Sequence, residues 1–155
     1  MLQILLNDVR SALNIGSIFR SSDAFGIDKI WLTGICAIPP NKEILKTALG
    51  ATESVKWEYQ ENPIDLINNL SLEGFKILAV EQSKISTSLE NFTPQKNQNY
   101  LLILGNEVEG VSSEILDKCE MHLEIPQFGE KKSLNVAVSA GIVLWHFTLH
   151  HLKSN

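Results

Sequence analysis

The stretch IPQFGEKKSLNV, at residues 125–136, constrains this chain more than any other. An apolar strand signal, Met121 to Ile125, runs into Pro126, which has no N–H to continue a ladder. Gly129 and two lysines follow. Ser133, an N-cap residue type, then opens a run rich in Val, Ala and Leu. The pattern predicts strand, tight loop and helix start, where backbone N–H and C=O groups stand free to grip a ligand. It predicts a small-molecule pocket at the carboxyl end of a strand.

The rest of the chain repeats that alternation. Strands are expected at Leu2–Leu6, Lys29–Thr33, Val55–Tyr59, Lys76–Val80, Tyr100–Leu104 and Met121–Ile125. Tyr100–Leu104 is the most apolar run and is expected at the sheet centre. Helices are expected from Ser11 to Phe25, stopped by Gly26, and from Glu43 to Leu49, ended by Gly50. Asn62-Pro63 opens another, to Leu70. A short one covers Glu114–Asp117, and the last runs from Leu134 to Leu152. The polar stretch Ser83–Asn99 reads as loop with one turn near Leu89–Phe92. Strands alternating with helices give an α/β class with a mostly parallel sheet. At 155 residues this is one domain, residues 1–155.

The first residues, MLQILLNDVR, show no basic leader and no apolar span, so a cytoplasmic, non-membrane protein is expected. Cys36 and Cys119 stand alone, without metal spacing, and are expected reduced and partly buried. His146, His150 and His151 lack an acidic partner, so no metal site is expected. The net charge of −5 argues against a generally basic nucleic-acid binder. Its distribution is uneven: residues 1–60 hold six basic and six acidic side chains, residues 61–155 seven and twelve. A phosphate-facing patch would therefore rest on Arg10, Arg20, Lys131 and Lys132.

Two earlier segments also carry chemistry. In NIGSIFRSSDAFG, residues 14–26, Asn14 and Arg20 lie six residues apart, not quite on one helical face. A helix starting near Ser17 after an irregular turn would aim both inward; the plainer alternative is a surface helix pairing Arg20 with Asp23. In LGNEVEG, residues 104–110, no Lys-Ser/Thr follows the glycines, and Glu107 and Glu109 would repel phosphates. This excludes a P-loop and favours a ligand with polar groups and positive charge.

Taken in order, the three segments resemble the SpoU (TrmH) family of RNA ribose 2′-O-methyltransferases in the SPOUT superfamily. The resemblance implies an open, mostly parallel sheet flanked by helices, with a C-terminal deep trefoil knot; knot and cofactor loops would occupy about residues 80–152. It implies S-adenosylmethionine held by Val80, Glu81, Leu104, Gly105, Asn106, Gly110, Ile125, Gln127, Ser133 and Leu134. It places Arg20, Asn14, Glu107, Ser133 and Asn135 in the catalytic set, with Arg20 as a cation stabilising alkoxide and phosphate. It also implies a homodimer through the first and last helices, matching the Ile142, Trp145 and Leu149 stripe. VEQS at 80–83, IPQFG at 125–129 and the WHF ending at 145–147 look like the branch methylating a tRNA guanosine ribose; rRNA is the second choice. The alternative is a knotted dimeric module that binds cofactor or RNA without turnover.

Overall fold

The computed structural model describes residues 1–152, with side chains through His150; His151's side chain and residues 153–155 lie outside the described residues. Seven strands form one sheet: β1 (Leu2–Asn7), β2 (Lys29–Thr33), β3 (Trp57–Gln60), β4 (Phe75–Val80), β5 (Thr87–Ser88), β6 (Asn99–Leu104) and β7 (Met121–Glu124). Every pairing is parallel, in the order β3-β2-β1-β6-β4-β7-β5. β6 is the fourth of the seven, as its apolar run predicts.

Parallel strands bury both faces, and the alternation of side chains divides the core in two. On one face Ile4, Leu6, Leu32, Leu102 and Leu104 meet Ile15, Ile18 and Phe19 of α1 (Ala12–Ala24). They share that cluster with Ile44 of α2 (Lys42–Ala48), Ala51 of α3 (Ala51–Ser54), and Val143, Leu144 and Phe147 of α6 (Val136–Leu152). On the other face Leu5, Ile77, Leu101 and Ile103 pack with Leu66, Ile67 and Leu70 of α4 (Pro63–Leu72) and Ile115 of α5 (Ser113–Leu116). One strand shift would turn each set toward the wrong layer.

Four expectations are corrected. Asn135, not Ser133, caps the last helix: its Oδ1 accepts from the N–H groups of Ala137 and Val138, so α6 begins at Val136 rather than Leu134. The 83–99 stretch holds, besides the turn at Leu89–Asn91, the short strand β5, which extends the sheet beyond β7. The third strand starts at Trp57, because α3 intervenes after Gly50. The first helix is continuous from Ala12, with Ser11 as its cap, and has no irregular turn before Ser17.

In the strand order, consecutive neighbours run outward from β1 to one edge, while β6 lies on its other side. The connections after β1 and β6 lead to helices on opposite faces, α1 and α5, and so diverge at this boundary, the kind of place where a parallel sheet opens a crevice.

Candidate functional site

Three loops meet at the carboxyl ends of adjacent strands: those after β4, β6 and β7. They enclose a cleft of about 230 Å³. All ten residues expected to hold a cofactor line it, namely Val80, Glu81, Leu104, Gly105, Asn106, Gly110, Ile125, Gln127, Ser133 and Leu134. Sequence reasoning missed the β7 residues Leu123 and Glu124 and, on α6, Val136 and Ser139. The alternation that sends Leu123 into the core was readable; the cleft reaching α6 was not.

The middle loop is built from its own side chains. Asn106 Oδ1 accepts from the N–H groups of Val108 and Glu109, while its Nδ2 donates to the Asp8 carbonyl. Asn106 and Gly110 pair across the turn. Gly110 has φ +71°, a left-handed conformation that glycine adopts freely. Glu81 locks this turn from the neighbouring loop: its carboxylate accepts from Val111 N–H at 2.9 Å and from Gln82 N–H at 3.0 Å. The side chains of Glu81 and Asn106 are thus engaged in holding the wall of the cleft.

Gly105 is buried, and a Cβ there would overlap the Gly110 carbonyl. The turn itself requires a glycine here, whatever lies against its backbone.

The second construction joins the first segment to the other two. Glu107 accepts from Ser11 N–H at 3.2 Å, Arg10 N–H at 3.4 Å and Asn14 Nδ2 at 3.4 Å. Asn135 Nδ2 donates to Asn14 Oδ1 at 3.1 Å. Partial burial pushes the Glu107 carboxyl up, but N–H donors from its own backbone, Ser11, Asn14 and Arg10 outweigh it and hold the group below its ordinary value. Asn14, Glu107 and Asn135 are therefore one cluster beside the cleft. A second hollow shares four residues with the cleft, Asn106 through Glu109, and adds Arg10 and Ser11.

Two expected members stand apart. Ser133 lines the cleft, and its hydroxyl has no hydrogen bond among the described residues. Arg20 is exposed, outside both hollows, and no ion pair with Asp23 forms; Asp23 accepts instead from Ser54 Oγ. A continuous helix places Arg20 two-thirds of a turn around from Asn14 and about 9 Å farther along. Of the lysines, Lys132 lines the cleft and Lys131 is exposed on the same loop.

The lining of the cleft suits a ligand with positive charge and an apolar part. Glu81, Glu107, Glu109 and Glu124 line it against the single lysine, with Leu104, Ile125 and Leu134 as apolar walls. No group of three or more metal-ligating side chains occurs among the described residues. His146 donates to the Phe92 carbonyl at 2.7 Å.

The family model described as the SpoU rRNA Methylase family matches residues 1–145. A Bacillus subtilis relative, the 23S rRNA (guanosine(2553)-2′-O)-methyltransferase RlmP, is 31% identical over 147 residues, covering 92% of this chain and 56% of its own. The chain spans that same 56% of the next curated relatives it matches. An AdoMet-bound rRNA methyltransferase structure from Sinorhizobium meliloti has a TM-score of 0.89 and 28% identity, over 96% of this chain and 56% of that one. The A. aeolicus TrmH/SpoU tRNA modifying enzyme has a TM-score of 0.89 and 27% identity, over 99% and 76%.

Proposed function

Since this chain belongs to the SpoU rRNA methylase family, we propose that it transfers a methyl group from S-adenosylmethionine to a ribose 2′-hydroxyl of RNA. The observation that carries the proposal is the meeting of the three motif segments at one crevice. Loops from the second and third form the cleft, and Asn14 from the first is hydrogen-bonded to both.

S-adenosylmethionine, bound in the cleft, supplies an electrophilic methyl group on a sulfonium. Backbone groups of the loops at 104–110 and 125–134 would hold it, and the carboxylate-rich lining would favour its positive charge. Glu107, fixed as an anion by four donors, ties the β1 loop to the β6 loop and so sets the floor on which the ribose rests. Ser133, with its free hydroxyl, and Asn135, through Asn14, orient the ribose. Arg20, as a guanidinium, serves as a cation for the adjacent phosphate and the developing alkoxide rather than as a base, and the hydroxyl proton passes to water.

A single chain leaves Arg20 away from the cleft, which supports a homodimer in which each Arg20 serves its partner. The surface for it is available: Val138, Ile142 and Trp145 on α6 are 51%, 38% and 47% exposed, beside α1, where Phe25 packs on Trp145. Segment 84–99 is proposed to form the knot around α6. His146 bonded to Phe92, and the ring cluster of Phe92, Tyr100 and Phe147, support that reading. No helix among the described residues is long and apolar enough to cross a membrane, and an RNA substrate is met in the cytoplasm.

The RNA is proposed to be tRNA, at a guanosine ribose; RlmP, by its name, also acts on a guanosine, in 23S rRNA. The test is labelled methyl transfer to unmodified tRNA and to 23S rRNA transcripts, side by side. Transfer to tRNA is expected. Transfer to rRNA alone would replace the substrate, and transfer to neither would leave a binding module without turnover.

A further inference from the structure

We infer that Phe128 is a stacking platform for a base of the RNA substrate, which makes it a substrate-positioning residue in addition to the motif set. The inference rests on the proposed function and deepens it. Phe128 is 94% exposed, and no ring contact engages it among the described residues. Its two neighbours in sequence explain its position. Gln127 lines the cleft, and Gly129 stands in open space, where an added Cβ would meet nothing within 4 Å.

Exposed apolar side chains scattered singly need no explanation, but this one is not scattered. Of the exposed large apolar residues, the two most exposed are Phe128 and Val108, at 94% and 92%. Both sit on loops that wall the cleft, one after β7 and one after β6, and Val108 lines the cleft and the adjoining hollow together. Phe147, Tyr100 and Phe19 are buried to within 1% of full enclosure, so aromatic rings elsewhere in this core do find partners.

The occupant follows from charge as well as shape. Glu130, Lys131 and Lys132 follow Phe128 by two, three and four residues and leave this loop with net positive charge, in a protein of net charge −5. Lys132 lines the cleft and donates to the Gly129 carbonyl, while Lys131 is exposed. An aromatic face with adjacent cations is the arrangement that holds single-stranded nucleic acid, because every base has a π-face and every nucleotide a phosphate. Stacking here would hold a nucleotide beside the cleft without reading its sequence. A second copy of the chain, the other possible cover for Phe128, would have no need of the lysines.

The test uses the full chain in three forms: wild type, Phe128→Ala and Phe128→Trp. Thermal melting confirms folding, and size measurement gives the oligomeric state. Losing one base–aromatic stack is expected to raise KM for RNA roughly tenfold in Phe128→Ala, with S-adenosylmethionine affinity and assembly unchanged. Phe128→Trp should keep the wild-type KM. Its fluorescence, after subtraction of the wild-type signal, should be quenched by a short mixed-sequence single-stranded oligoribonucleotide and not by polyphosphate. Unchanged KM in Phe128→Ala would overturn the inference, as would equal quenching by polyphosphate, or a smaller assembly, which would make Phe128 an interface residue. Wild type that transfers no methyl group to any RNA would fail the proposed function, while the fluorescence comparison would still decide whether a base stacks on position 128.

Discussion

Asn135 donates its side-chain amide to Asn14 Oδ1 at 3.1 Å, joining residues 121 positions apart. The same Asn135 side chain caps α6 through its Oδ1, so one residue both starts the last helix and fixes the first. These duties separate by substitution. Asn135→Ala should cost about 1 kcal/mol of stability from the lost cap and lower methyl transfer. Asn135→Asp should restore the cap but not the transfer, since a carboxylate cannot donate to Asn14. Melting temperature and kcat/KM, measured on both variants, check this; recovery of both by Asp would remove the Asn14 bond from the account.

Gly105→Ala is expected to destabilise the fold itself. The added methyl overlaps the Gly110 carbonyl in a turn that Glu81 and Asn106 already hold. A cost of roughly 1–3 kcal/mol is expected, with loss of cofactor affinity as its consequence. Denaturant unfolding, with and without S-adenosylmethionine, separates the two; an unchanged midpoint without cofactor would return the glycine to a purely ligand-facing role.

Glu107 gives a pH dependence with a definite sign. Its folded-state carboxyl lies below the ordinary value of 4.5, so it stabilises the native protein at pH above that value. The contribution fades as pH falls through the depressed folded value. Wild type should therefore melt higher than Glu107→Gln near neutrality, and the gap should close on acidification. Paired melting curves check it. A gap that widens toward acid would contradict the assignment.

Much of this was readable because parallel strands bury both faces, which makes apolar runs such as Tyr100–Leu104 and Lys29–Thr33 stand out, and because Asn62-Pro63 is a strong helix start. The three cleft loops were readable as loops that follow strands; the individual residues assigned to them are what the family resemblance implies. The cap on α6 was not, since Ser133 and Asn135 are both capping types and only the loop's path selects between them. β5 is two residues long, too short to show a period. Arg20 shows the limit from the other side: helical geometry turns it away from Asn14, and no sequence spacing tells whether a second chain brings it back.

That question yields to mixing. Asn14→Ala and Arg20→Ala are each expected to lose most transfer as homodimers. If Arg20 serves the partner's cleft, a verified heterodimer holds one site with Asn14 and Arg20 both intact, and up to half of wild-type activity per dimer returns. Inactive heterodimers of folded subunits would place Arg20 in service of its own chain.

Transfer of the methyl group to a ribose oxygen of RNA is reported directly by the linkage in the product. After transfer from methyl-labelled S-adenosylmethionine, the RNA is hydrolysed in alkali. A 2′-O-methyl group removes the hydroxyl that attacks the neighbouring phosphate, so the label should survive in alkali-resistant dinucleotides. Label recovered in mononucleotides would mean methylation at a base, and would contradict the account.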